Sequence, residues 1–240
     1  MRIAVLSDIH GNLPALEAVL DALKPYDAVW QLGDIVGYGP QPDEVVARLA
    51  KENATGVRGN HDAAALGELD TDTFNDDARA AVEWTADRIQ PATRKWLAAL
   101  PQRAVDEPFT LVHGSPRDPT WEYIFTAAVA RANLSAFDTD HCLVGHTHMP
   151  IIYRERHGRM EGLQPDEGSP FHLGSQRLIA NPGSVGQPRD GDPRASALLL
   201  DTDARTLEWR RVEYPIERVQ KLMTERHLPV RLVARLAYGL

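Results

Sequence analysis

The apolar positions of this 240-residue chain fall into two textures. From Met1 to about Pro150, short apolar runs alternate with helical spacings. Ile3-Ala4-Val5-Leu6 reads as a buried strand, and Leu13, Leu16, Val19, Leu20 and Leu23 then recur at the spacing of one helix face. Asn12 stands where a cap belongs, and Pro14 where a first helical turn tolerates it. Ala28 to Leu32 predicts a second strand, Val45, Val46 and Leu49 a second helix, and Thr55 to Arg58 a third strand. Asp76 to Leu100 reads as helix interrupted at Pro91. Thr110 to Val112 and Cys142 to Val144 return to strand.

Beyond Pro150 the pattern turns strand-rich. Ile151 to Tyr153 leads to a turn at His157-Gly158. Leu178 to Ala180, Ala197 to Leu200 and Leu207 to Tyr214 follow as strands, and helices are expected from Ile216 to His227 and from Val230 to Tyr238. Strand–helix alternation of this length implies βαβ units and a sheet covered by helices. With no repeat and no low-complexity linker, residues 1–240 read as a single α/β domain.

Composition narrows the classes of partner. With 34 Asp and Glu against 26 Lys and Arg, the formal charge is -8, which opposes coating nucleic acid or anionic lipid. The single cysteine, Cys142, excludes an intramolecular disulfide and a Cys-rich zinc module. The first apolar run turns acidic at Asp8, too soon for a signal peptide, and no apolar segment is long enough to span a bilayer. The expectation is a cytoplasmic protein.

The chemistry gathers where the strands end. Ser7-Asp8-Ile9-His10-Gly11 closes the first, Gly33-Asp34 the second and Gly59-Asn60-His61-Asp62 the third. His113-Gly114 and Gly145-His146-Thr147-His148 close two later ones. In an open α/β sheet, ligands bind beyond the carboxyl ends of the strands. Alternation along an extended chain would put Asp8 and His10 on one side with Ile9 turned away, and likewise His146 and His148 around Thr147. The adjacent glycines would let the backbone turn sharply beside a bound ion. Carboxylate and imidazole without thiolate suit Mn, Fe, Co, Ni or Zn. So many ligands exceed the needs of one ion, and Asp34, alone after its strand, is the natural carboxylate for two ions to share.

The motifs D-x-H, G-D, G-N-H-D, H-G and G-H-T-H, in this order, resemble the calcineurin-like metallophosphoesterase superfamily. Asn181-Pro182-Gly183-Ser184-Val185-Gly186-Gln187-Pro188-Arg189 is similar to a loop of its small bacterial, YfcE-like phosphodiesterase branch. The resemblance implies a two-sheet β-sandwich flanked by helices, a four-layer αββα fold. It implies two divalent ions, manganese foremost, one on Asp8, His10, Asp34 and His148, the other on Asp34, Asn60, His113 and His146. His61 would be the non-ligand histidine facing substrate, and Asp62 a candidate to orient its ring. Two such cations clamp the attacking and leaving sides of an in-line displacement and make hydroxide available at neutral pH.

The expected reaction is hydrolysis of a small phosphodiester or monoester. A protein phosphatase or nuclease with the same two-metal chemistry is the enzyme alternative, and a non-catalytic scaffold on this fold the other. Asn60, His61, Arg189 and Tyr38 are the candidates to contact substrate. Arg189 and Arg194 fit either a phosphate or ion pairs with Asp190 or Asp192. Tyr38 and Tyr123 fit either a core cap or a stacking surface. The 181–189 loop either shapes a connection or faces the site. His141, His157, His172 and His227 match no motif and read as structural or exposed; Trp30, Trp84 and Trp96 read as core. The terminal apolar stretch leaves a homo-oligomer open.

Overall fold

The computed structural model describes residues 1–240. In chain order its elements are β1 (Arg2–Leu6), α1 (Leu13–Ala22), β2 (Ala28–Gln31), α2 (Pro42–Lys51), β3 (Thr55–Gly56), α3 (Asn60–Ala65), α4 (Asp76–Ala86) and α5 (Pro91–Ala98). Then come β4 (Arg103–Asp106), β5 (Phe109–Val112), α6 (Ala127–Asn133), β6 (His141–Leu143), β7 (Pro150–Arg156) and β8 (Arg159–Leu163). The chain closes with β9 (Phe171–His172), β10 (Leu178–Pro182), β11 (Ala195–Asp201), β12 (Thr206–Val212), α7 (Ile216–Glu225) and α8 (Val230–Arg235). None of the helices is long and apolar enough to cross a membrane.

The strands form two six-stranded mixed sheets, ordered β3-β2-β1-β11-β12-β9 and β4-β5-β6-β10-β7-β8. Alternate residues of the central strands enter different cores, which is why these strands are apolar on both faces. In β1, Ile3 and Val5 point between the sheets, while Ala4 and Leu6 point toward the helices. In β11, Leu198 and Leu200 face inward and Ala197 and Leu199 outward. The inner layer joins Trp30 and Trp209 of the first sheet to Phe109, Leu143 and Ile152 of the second. Each such fully buried side chain stabilises the fold by about 1.5–3 kcal/mol.

Helices α1, α2, α4, α7 and α8 cover the first sheet's outer face through Leu16, Val45, Val82, Val219 and Leu232. The second sheet's outer face packs Val112, Cys142 and Ile179 against Ala130 of α6 and nearby Phe137. The result is the four-layer αββα sandwich. Asn12 caps α1 by accepting from the Ala15 amide at 3.2 Å, as its position predicts.

Five elements escape the periodicity, each for a physical reason. β4, β8 and β9 are edge strands, the first nearly all exposed, the second with no buried position and the third two residues long, so none carries an alternating signal. α3 and α6 span six and seven residues, under two full turns of apolar repeat. In α3 the run Ala63-Ala64-Ala65 is the local helix signal. Trp84 and Trp96, expected in the core, are only half-buried at the outer edge of the helical layer.

Candidate metal and phosphoester site

Parallel pairing of β1 with β2 and of β2 with β3 brings Asp8, Asp34 and Asn60 to one end of the first sheet. Parallel pairing of β5, β6 and β10 brings His113, His146, His148 and the 181–189 loop to the same end of the second. All seven expected metal ligands meet there, and all are buried.

They form two groups. Single ligand atoms from Asp8, His10, Asp34 and His148 lie within 4.8 Å of one another, as do those from Asp34, His113 and His146. Asp34 belongs to both. Its Oδ2 is 3.7 Å from His10 Nε2 and 3.3 Å from His113 Nε2, while its Oδ1 accepts from the His61 amide at 2.9 Å. Asp8 Oδ2 accepts from Ser7 Oγ at 2.6 Å and the His146 amide at 3.2 Å. Asp8 Oδ1 has no hydrogen-bond donor and faces His148 Nε2 at 3.3 Å.

The backbone carbonyls fix the imidazole tautomers. His10, His113 and His148 each place Nδ1 against a carbonyl, of Val36 (3.2 Å), Leu32 (2.8 Å) and Gln187 (2.6 Å) respectively. A carbonyl only accepts, so Nδ1 donates, and the neutral ring's lone pair stays on Nε2. Those lone pairs then confront other acceptors: His10 Nε2 meets His148 Nε2 at 3.2 Å, and His113 Nε2 meets Asn60 Oδ1 at 3.0 Å. Acceptors held face to face in a buried site repel unless a cation or a proton lies between them. The donor set fits divalent metal ions.

Electrostatics lead to the same point. Burial pushes Asp8 up to about 7, with Asp34's charge adding to it. Burial likewise opposes charge on His113, but Asp34 and Asp8 outweigh it and hold that ring up at about 9. Burial drives His10 and His148 well below the usual histidine range. This is a pocket of buried carboxylates whose negative charge calls for compensation.

The expected geometry of the D-x-H and H-x-H pairs is right in outcome and wrong in cause. Ile9 does turn away into the core, but Asp8 (φ 51°) and His10 (φ 49°) are left-handed, not extended. Asp34 (φ 52°), His146 (φ 65°) and His148 (φ 60°) share that conformation. Each costs about 1–3 kcal/mol in a non-glycine residue and persists because surrounding contacts impose it. The glycines mostly serve close approach. A Cβ on Gly59 would run into Asp34 Oδ1, and only Gly33 and Gly11 of those singled out have positive φ.

Asp62 requires a correction. Its Oδ1 accepts from the Ile35 and Val36 amides at 2.9 and 3.0 Å, and its Oδ2 from Gly59 at 3.0 Å. It braces the loop that carries Asp34 and the start of α3 rather than orienting His61. The His61 ring is buried with Nδ1 unpartnered, among Tyr38, His10 and Phe74 at ring-centre distances of 4.3, 4.9 and 5.0 Å. Burial, with Arg189 and His113 adding to it against Asp34, holds His61 down to about 4.

Above the two groups lies a cavity of about 110 Å³ walled by His61, Tyr38, Phe74, Trp121, Tyr123 and Arg189. Arg189 donates to Gln187 Oε1 at 3.0 Å and lies 5.5 Å from the Tyr38 ring centre, with Nε unpartnered. Arg194 instead pairs with Asp192 and Glu167, and Asp190 pairs with Arg211. The 181–189 loop belongs to the site. Ser184 Oγ donates to the Asp8 carbonyl (2.8 Å), Gln187 receives His148, and Asn181 Nδ2 braces Gly145 (2.6 Å) and Thr147 (3.0 Å). Phe74 and Trp121 were not foreseen, because they reach the cavity from connections that carry no motif. Of the unmatched histidines, His141 is buried and His157, His172 and His227 are exposed.

A two-sheet sandwich with carboxylate and imidazole gathered at the strand ends defines the metallophosphoesterase class. The chain belongs to the calcineurin-like phosphoesterase superfamily, whose domain profile matches residues 1–205, and is thus a phosphoesterase that uses divalent metal. It is similar to the crystal structure of a metallophosphoesterase from Sphaerobacter thermophilus, with 48% identity, TM-score 0.92, and coverage of 100% of this chain and 99% of that one. The uncharacterized protein MJ0912 of Methanocaldococcus jannaschii is 37% identical over 99% of this chain and 98% of its own length. Phosphodiesterase YfcE of Escherichia coli K12 is 30% identical over 85% of this chain and 89% of its own.

Proposed function

We propose that the chain hydrolyses a small phosphoester, a diester foremost, with two divalent ions. One would be held by Asp8, His10, Asp34 and His148 and the other by Asp34, Asn60, His113 and His146. The observation that carries this reading is the single carboxylate, Asp34, shared by both ligand groups beneath one cavity. Such ions supply Lewis-acid polarisation of phosphoryl oxygens and lower the pKa of coordinated water.

The protein's own groups do the rest. Asn60 and Arg189 flank the cavity and orient phosphoryl oxygens, Arg189 through a charge-assisted hydrogen bond. His61 is neutral when the cavity is free. A phosphate beside it adds negative charge, which raises its affinity for the proton that a departing alkoxide needs. The rings of Tyr38 and Phe74 pack against His61 and restrict its motion. The YfcE relative's name supports the diester preference, and a cavity of about 110 Å³ supports a compact substrate rather than a polymer.

The ligand chemistry, oxygen and imidazole without sulfur, admits Mn, Fe, Co, Ni and Zn, and the family resemblance puts manganese first among them. The test adds each of Mn, Fe, Co, Ni and Zn to chelated protein and follows bis-p-nitrophenyl phosphate against p-nitrophenyl phosphate. Metal-dependent turnover, faster on the diester, is expected. A folded chain inert on both esters with every ion refutes the reading in favour of a scaffold.

A further inference from the structure

Four histidines line the two ligand groups, and three are held alike. His10, His113 and His148 each donate Nδ1–H to a backbone carbonyl, which fixes both tautomer and ring plane. His146 lacks such an anchor. Its Nδ1 faces His113 Nε2 at 3.1 Å, and its buried Nε2 has no hydrogen-bond partner. Its ring instead lies against Tyr123, with ring centres 3.8 Å apart and planes 15° from parallel. Phe125 stacks on Tyr123 in turn, at 5.2 Å and 12°.

The segment carrying Tyr123 is tied down. It begins at His113 itself, and Ser115 and Asp118 close its turn through the Ser115 amide (3.0 Å) and the Trp121 amide (3.0 Å). Glu122, next to Tyr123, accepts from Ser115 Oγ at 2.6 Å, from Asn133 Nδ2 at 2.7 Å and from the Arg117 guanidinium. One braced loop thus starts on one histidine of the second group and ends on the ring stacked against the other.

We propose that Tyr123 is a positioning residue for His146, its stacked ring setting the imidazole plane as carbonyls do for the other three histidines. This rests on the two-ion reading above. Stacking acts through the ring face, so the phenol oxygen is dispensable for it while the aromatic ring is not. Tyr123 is 41% exposed, so shortening it leaves no void in the core.

The experiment titrates manganese alone into chelated wild type, Tyr123→Leu and Tyr123→Phe, and counts bound ions by elemental analysis after desalting. The expected result is two ions in wild type and in Tyr123→Phe. In Tyr123→Leu the second should bind about 10–100-fold more weakly, the usual effect of losing a ligand's support. Full second-ion affinity in Tyr123→Leu overturns the proposal, and so does equal loss in both variants. Should wild type hold only one ion, the two-ion reading fails, and the imidazole spectrum of metal-free protein decides alone. Upfield-shifted His146 signals kept in Tyr123→Phe and lost in Tyr123→Leu support positioning; unchanged signals in Tyr123→Leu overturn it.

Discussion

Two hollows on this molecule differ in what they offer. A groove of about 680 Å³ between α2, α4 and α5 is floored by Trp84, Trp96, Val46 and Ala50. The cavity over the ligand groups holds only about 110 Å³. In the groove the charged side chains have partners of ordinary kind, and the one buried polar atom without a partner is the indole nitrogen of Trp84. Asp43 accepts from the Gln90 amide (3.0 Å) and Thr93 (2.5 Å), Arg88 lies 4.7 Å from the Trp84 ring centre, and Arg226 faces Glu44 at 3.9 Å. Beneath the cavity the Nε2 lone pairs of His10 and His148 face each other, Asp8 Oδ1 has no donor, and the backbone of five expected ligands is left-handed. Volume measures where the helices fail to meet. Unmet polar demand, held in place against its own strain, marks the chemistry.

The sharpest break in that contrast is at Asp34. Asp34→Asn, nearly the same shape, weakens the ligand set of both groups and should lower turnover by about a thousandfold, several kcal/mol of lost charge stabilisation. Steady-state rates at saturating manganese, with ion counts, check this. Full turnover with both ions retained would disprove the shared-carboxylate assignment. His61→Ala should cost about a hundredfold in kcat, the scale of general-acid assistance, with metal content unchanged. Loss of an ion in that variant would instead move His61 into the ligand set.

Protons and metal compete for the same atoms, which sharpens the contrast without mutation. Asp8 has a folded pKa of about 7 against 3.8 unfolded, so its ionisation destabilises the metal-free fold as pH rises through that interval. His113, at about 9 against 6.5, stabilises the metal-free fold fully below 6.5 and loses that contribution as pH rises through 9. Bound cations displace both protons. The rise in melting temperature on adding manganese should therefore be larger at about pH 9 than at about pH 6, and a shift independent of pH would contradict it. The smallest effect belongs to the groove. Trp96→Ala should remove about 1–2 kcal/mol of stability from a half-buried ring, read by denaturant titration, and leave kcat and metal content unchanged.

Much of the site was legible because its residues sit in short runs at strand ends, where neighbouring glycines and apolar strands mark their place. The seven expected ligands follow from that pattern, and the family resemblance divides them into two groups. What the pattern missed shares a different origin. Phe74 and Trp121 are ordinary apolar residues in connections, and nothing local distinguishes them from core. Asp62 looked like a catalytic neighbour because adjacency in sequence suggests contact. Its position in the first turn of α3 sends its carboxylate back to the Gly59 amide and across to the loop after β2.

The sequence by itself determined nine of the twelve strands, six of the eight helices, the end of the sheets that carries the chemistry, and the residue types offered there as ligands. Those follow from local periodicity and from residue types whose donor chemistry does not depend on context. Only the tertiary structure decided which nitrogen of His10, His113 and His148 is free, which of Arg189 and Arg194 faces the cavity, and which ring stacks on His146. Each of these depends on a partner more than twenty residues away along the chain or on a competing ion pair, and such partners meet only when the chain folds.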